Sequence, residues 1–153
     1  MPTMGIDKEI KQATFRNNQN KAMVNIMFTH AWMVDHIKTF VKSENITPQQ
    51  YNILRILRGA GEPLSTLQLR ERMLDKMSDT SRIVDRLILK GLAQKSTSLS
   101  DHRLVDVLIT EKGHGILREI DEGPDIVTEV MCNVSEEEME ELSQLLDKIR
   151  RSN

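Results

Sequence analysis

The sequence predicts a mainly α-helical fold with one small antiparallel β-hairpin. Three observations carry that expectation. Apolar residues recur at spacings of three and four along most of the 153 residues. Three segments open on a hydroxyl residue followed three places later by Gln or Glu, at Thr47, Ser65 and Ser135. The apolar period changes to two only between Leu92 and Ile109.

Taken in order, residues Asp7 to Lys42 contain neither proline nor glycine, and Met23, Ile26, His30, Met33, Ile37 and Phe40 form a stripe widened by Met27, Ala31, Val34 and Val41. One long helix is predicted. So wide a stripe on so long a helix exceeds what one small domain covers, so part of it reads as a subunit contact; an ordinary core stripe is the plainer account of most of its members. Thr47-Pro48-Gln49-Gln50 joins a cap, a proline at the first helical position and a capping-box glutamine. That helix should run from Pro48 to about Arg58, burying Tyr51, Ile53, Leu54 and Leu57, with Gly59-Ala60-Gly61 ending it and Pro63 preventing resumption. Ser65 opens a short helix to about Met73, and SDTSRIVDRLILKGL (78–92) forms the next, stopped by Gly91 with Leu92 making the following apolar contact. Val105, Val107 and Ile109 then share a strand face, and Leu92–Ser96 can pair with Leu104–Ile109 across a polar loop ending in Asp101-His102-Arg103. No Asn-Gly or Asp-Gly turn is present, so a long, mobile loop is expected. Thr110 caps a helix through Ile116, Leu117 and Ile120, Gly123-Pro124 should break it, and Ser135 opens a final helix striped by Met139, Leu142, Leu145, Leu146 and Ile149. The expected domains are an N-terminal dimerisation helix (1–45), a central lobe (46–110) and C-terminal dimerisation helices (111–153).

Composition narrows the function classes. One cysteine, Cys132, can form neither an intrachain disulfide nor a thiolate metal cage. The opening MPTMGIDKEIKQ lacks a basic segment followed by an apolar run, so a reducing cytoplasm is the expected location. The longest stretch without charge, Ala22 to Val34, is too short to span a bilayer, and no membrane partner is expected. His30, His36, His102 and His114 are scattered, without metal-ligand spacing or a phosphate-binding glycine loop. No catalytic residue, metal site or cofactor is therefore expected. The net charge of −2 conceals segregation: Leu64 to Leu104 holds eight bases and five acids, Glu111 to Arg150 four bases and twelve acids. Only the middle of the chain favours phosphate.

Helix, short turn, helix and hairpin is the order of a winged helix-turn-helix, whose second helix suits a major groove and whose hairpin tip reaches a minor groove. At about 100° per residue, Met77, Thr80, Val84 and Leu87 cluster on one side of that second helix. The free side is centred on Arg82, flanked by Ser78, Asp85 and Arg86, with Ser81 at its edge and Asp79 beyond Arg86. The competing account is a solvated face with Asp79–Arg82 and Arg82–Asp85 pairs.

The stretch from Ile46 to Gly115 resembles the DNA-binding core of the MarR family of bacterial transcription regulators. The matching residues are ITPQQYNILRIL, PLSTLQLRERM, SRIVDRLILKGL, Asp101-His102-Arg103 and ITEKG. The chain departs from the family pattern at Arg70, where a small residue is common, at Leu74, where the turn commonly has glycine, and in a wing without prolines. The resemblance implies a homodimer on double-stranded DNA, with Ser78, Asp79, Ser81 and Arg82 in the major groove and Arg86 nearer the backbone. It also implies Arg103 in the minor groove, oriented by Asp101, with Lys95 and Ser98 near phosphates. An arginine fits the negative potential of a narrow A·T-rich groove, and Asp101 also serves as a local turn residue. Family members bind phenolic or other small apolar acids in a cleft, which Met27, His30, Trp32, Met33 and Tyr51 could line; for His30 a satisfied core histidine is the alternative. Peroxide-sensing relatives use a cysteine in the N-terminal helix, which has none here, so Cys132 reads as a buried or inert thiol.

The expected function is thus sequence-specific transcriptional regulation, as a homodimeric repressor on a pseudo-palindromic operator released by a small effector. A winged-helix protein-interaction module that never touches DNA is the alternative, sustained by the acidic terminal segments and the modest charge of the motif.

Overall fold

The computed structural model describes residues 4–97 and 105–151, and the chain divides into two compact units, residues 1–51 and 52–153. In the first unit the expected single helix is broken. A short α1 (Ile6–Glu9) is followed by irregular chain and then by α2 (Asn18–Phe40). Lys11 takes a left-handed conformation (φ 54°), and the side chain of Asn17 accepts a hydrogen bond from the amide of Asn20 at 2.8 Å. The absence of proline and glycine does not suffice for a continuous helix, because an asparagine side chain offers the backbone a competing bond and starts a new helix as its cap. No residue of α2 is buried, whereas Ile6, Val41 and Ile46 are. A 3-10 turn (Lys42–Glu44) leads to Asn45 in the left-handed region.

The helix α3 (Pro48–Ala60) opens as its sequence requires: Thr47 Oγ1 accepts from the Gln50 amide and Gln50 Oε1 accepts from the Thr47 amide, both at 3.2 Å. It ends at Gly61, whose φ of +65° a side chain would resist. Tyr51 is half-buried, with its ring centroid 6.5 Å from that of Phe40.

The second unit continues with β1 (Leu64–Ser65), α4 (Thr66–Arg72), α5 (Thr80–Leu89), β2 (Ala93–Thr97), β3 (Val105–Ile109), α6 (Glu111–Glu122), α7 (Ile126–Met131) and α8 (Glu136–Arg150). The hairpin β2–β3 pairs Ala93 with Ile109 and Lys95 with Val107. The two-residue β1 adds a third antiparallel strand, Leu64 opposite Val107, giving the order β1-β3-β2. Ile53, Leu54 and Leu57 of α3 are buried in this unit, as are Leu64, Leu69, Met73, Val84, Leu87, Leu92, Val107 and Leu117. Each such side chain stabilises the fold by about 1.5–3 kcal/mol. Gly123 ends α6 before Pro124, as expected, and Ser135 forms its capping box with Glu138. No residue of α7 or α8 is buried. Among the described residues no helix is long and apolar enough to cross a membrane.

Candidate nucleic-acid interface

Each piece of the helix-turn-helix is fixed by short-range chemistry. Ser65 Oγ accepts from the Gln68 amide at 3.2 Å and Gln68 Oε1 accepts from the Ser65 amide at 2.8 Å, so α4 begins at Thr66. In the turn, Asp75 accepts from the Met77 amide (3.1 Å) and the Ser78 hydroxyl (2.6 Å). The Leu74 amide donates to Asn52 Oδ1 of α3 at 3.0 Å. Leu74 is not at positive φ, so this turn needs no glycine there. Asp79 then caps α5, accepting from the Arg82 amide at 3.2 Å, while its other oxygen lies 3.3 Å from Arg82 Nε.

The inner face of α5 consists of Thr80, Val84 and Leu87, all buried, and the Thr80 hydroxyl donates to Met73 Sδ at 3.3 Å. Met77, expected on that face, is instead 93% exposed. It precedes the cap by two residues, and angular placement at about 100° per residue holds only inside a helix. The outer face carries Ser81, Arg82, Asp85 and Arg86, all exposed, with Ser78 half-exposed before the cap. Lys95 on β2 extends it, its Nζ 3.8 Å from Asp85 Oδ1. Of the pairs expected on this helix, Asp79–Arg82 forms, and Asp85 meets Lys95 rather than Arg82. Exposed pairs of this kind contribute about 0–1 kcal/mol, little enough for a phosphate to displace. Ser98, Asp101 and Arg103 lie outside the described residues.

The far end of α5 is held by Gly91 and Leu92, as its stop requires, and by Thr110, Lys112 and Gly113, whose contacts with it the sequence did not indicate. The Leu92 amide donates to Leu87 O and the Gly91 amide to Ile88 O, both at 2.9 Å, with Gly91 at φ +72°. The Thr110 hydroxyl donates to Gly91 O at 2.6 Å and Lys112 Nζ to Lys90 O at 2.9 Å, so the cap carbonyl of the helix and the one after it are both satisfied. Gly113 lets α6 begin against this junction: a Cβ there would collide with Leu92 O and lie 2.7 Å from Ile109 Cγ1. The signal was the motif Thr110-Glu111-Lys112-Gly113, but its contacts are with residues about twenty positions upstream. Arg118 hydrogen-bonds Glu111 at 2.7 Å and holds that carboxyl below its ordinary range.

The candidate effector residues do not converge. An open groove of about 450 Å³ in the first unit is lined by Met4, Ile6 and Glu9 and by Asn25, Phe28, Thr29 and Trp32 of α2. Of Met27, His30, Trp32, Met33 and Tyr51, only Trp32 borders it. Helical periodicity puts Met27 and His30, both exposed, on the side of α2 opposite Trp32. Trp32 is joined to His36, ring centroids 4.0 Å apart, with His36 Nδ1 2.9 Å from Trp32 O. Cys132, just after α7, is an exposed free thiol, not a buried one, because no residue of α7 or α8 is buried in one chain.

A family model, described as the MarR family, matches residues 46–105. The HTH-type transcriptional regulator MhqR of Bacillus subtilis (strain 168) is 30% identical over 118 residues, covering 75% of this chain and 79% of that protein. The chain belongs to the MarR family. Matching residues 46–105 run from the start of α3 to β3, so the family resemblance falls on the helix-turn-helix and its wing. Solved structures of similar fold include a mutant of Escherichia coli MarR complexed with operator DNA, at 23% identity and a TM-score of 0.74 over 82% of this chain and 91% of that one. Another is an organohalide-sensing transcriptional regulator in its 2,4-dichlorophenol-bound form, at 24% identity and a TM-score of 0.76 over 93% and 83%. This chain is accordingly a MarR-family transcriptional regulator with a winged-helix lobe, and its similar proteins are regulators rather than enzymes.

Proposed function

We propose that this MarR-family chain is a homodimeric repressor that binds a pseudo-palindromic operator and is released by a small apolar or phenolic effector. One observation supports the DNA reading above the others: Ser81, Arg82 and Arg86 project from α5 beside Lys95 of the adjacent strand, while the opposite face of the helix is locked into the core. In this reading Ser78, Ser81 and Arg82 meet base edges, Arg86 and Lys95 meet phosphates, and Asp79 acts through the cap it forms. Ser98 joins the phosphate contacts, and Arg103, oriented by Asp101, enters the minor groove. Residues 1–45 and 111–153 supply the dimer contact around the lobe of residues 46–110. The support is apolar surface that one chain leaves open: Met23, Ile26 and Met27 on α2 and Leu142, Leu145 and Ile149 on α8 are each at least 40% exposed.

An effector acts here by binding better to a dimer whose lobes are spaced wrongly for DNA. The groove bordered by Trp32 suits a small aromatic guest, and Met27, His30, Met33 and Tyr51 take part only if a second subunit completes a site on their side. The fold shared with a dichlorophenol-bound regulator supports that class of ligand.

Selection of bound duplexes from a random DNA pool tests this function. The expected result is an inverted repeat with half-site centres about 10 base pairs apart, bound with an affinity that falls steeply as salt rises. Recovery of no preferred sequence, with binding insensitive to salt, would overturn it. The pairs Asp79–Arg82 and Asp85–Lys95 partly neutralise the face and favour the second reading, a protein-interaction module; that module predicts this second outcome.

A further inference from the structure

Met77 is the most exposed large apolar side chain described, at 93%. Its position is not that of a loose loop. The Met77 amide and the Ser78 hydroxyl are both held by the carboxylate of Asp75, Asp79 caps α5 two residues later, and the preceding Leu74 amide is tied to Asn52 of α3. The backbone is thus pinned while the thioether projects into solvent. It lies in the helix-turn-helix and not on the terminal helices that carry the proposed dimer contact. A major groove offers one apolar group to an apolar side chain, the 5-methyl of thymine. An unbranched thioether adapts its shape to such a partner.

We propose that Met77 is a specificity-determining residue that packs on a thymine methyl in each half-site, beside the bases met by the first turn of α5. The inference rests on the operator-binding reading above. It adds a sequence preference that neither Arg82 nor Arg86 provides, because guanidinium groups read guanine edges and phosphates. Met77 contributes shape and apolar contact, so it leaves the electrostatic part of binding untouched.

The test uses the full chain and the duplex obtained by selection. Each thymine of one half-site is replaced singly by deoxyuridine, which deletes only the methyl group. The parent protein should lose about fourfold in affinity at one position, the loss expected for one buried methyl. In Met77→Ala that position should become indifferent to the methyl, with the salt dependence unchanged. Leu89→Ala, at an equally open site (86% exposed) at the other end of α5, should keep the parent's pattern. A Met77→Ala protein that still shows every deoxyuridine penalty of the parent overturns the inference while leaving operator binding intact. A parent that selects no sequence overturns both.

Discussion

Asp79 holds the start of α5 with both carboxylate oxygens, one taking the Arg82 amide and the other facing the Arg82 guanidinium. The two tasks separate by substitution. Asp79→Asn keeps a capping acceptor and removes the charge, so its melting temperature should stay near the parent's while non-specific DNA affinity rises. Asp79→Ala should in addition destabilise the protein by about 1 kcal/mol, seen by thermal or urea unfolding. If both variants melt alike, the cap is not what Asp79 contributes. Arg82→Ala should weaken operator binding by about 1–3 kcal/mol, measured by fluorescence anisotropy at fixed salt, with the fold unchanged because the side chain is 82% exposed. At this scale the sequence was legible where helical periodicity applied: Thr80, Val84 and Leu87 face inward, and Ser81, Arg82 and Arg86 outward. It failed at Met77, which the same periodicity placed on the buried side although the helix has not yet begun there.

Capping chemistry and tight packing govern the elements. A Cβ on Gly113 of α6 would collide with Leu92 O, three residues past the end of α5, so Gly113→Ala should cost several kcal/mol, because it would meet backbone that cannot swing aside. Chemical denaturation measures this, and a stability equal to the parent's would show that the junction has room. Asp125, the cap of α7, accepts from the Thr128 hydroxyl at 2.6 Å and the Val127 amide at 3.1 Å, and these bonds hold its carboxyl below the ordinary value. A depressed folded value means that the carboxylate contributes stability at neutral pH, which disappears as pH falls through that value. The melting-temperature gap between parent and Asp125→Ala should therefore be open at pH 7 and close below the ordinary aspartate range. A gap independent of pH would count against the ionised cap. The element marked by both a start and a stop was readable in advance, α3 by Thr47 and Gly61, whereas of α5 only the stop at Gly91 was, since Asp79 shows itself as the cap only in the structure. The break before α2 was not, because Asn17 looks like an unremarkable polar residue until its side chain turns back on the Asn20 amide. The two-residue β1 was hidden as well, since Leu64 is a strand residue only by virtue of Val107 opposite it.

One chain leaves its terminal helices without a buried face, as α2, α7 and α8 contain no buried residue. The homodimer proposed above would cover them. Leu145→Glu places a charge on the open stripe of α8 and should shift the protein to monomer in sedimentation equilibrium, with operator affinity falling because one lobe then binds alone. A variant that remains dimeric would move the subunit contact off α8. The sequence by itself determined much of what depends on neighbours within a turn of chain, namely the caps at Thr47, Ser65, Thr110 and Ser135, the stops at Gly61 and Gly91 and the inward and outward faces of α5, together with the segregation of basic and acidic segments. Only the tertiary structure decided that Lys95 meets Asp85, that Leu64 joins the sheet at Val107, and that Thr110, Lys112 and Gly113 fasten the end of α5. Those partners lie ten to some forty residues apart, a separation at which no periodicity or capping rule operates, and it is burial of the shared core that brings them together.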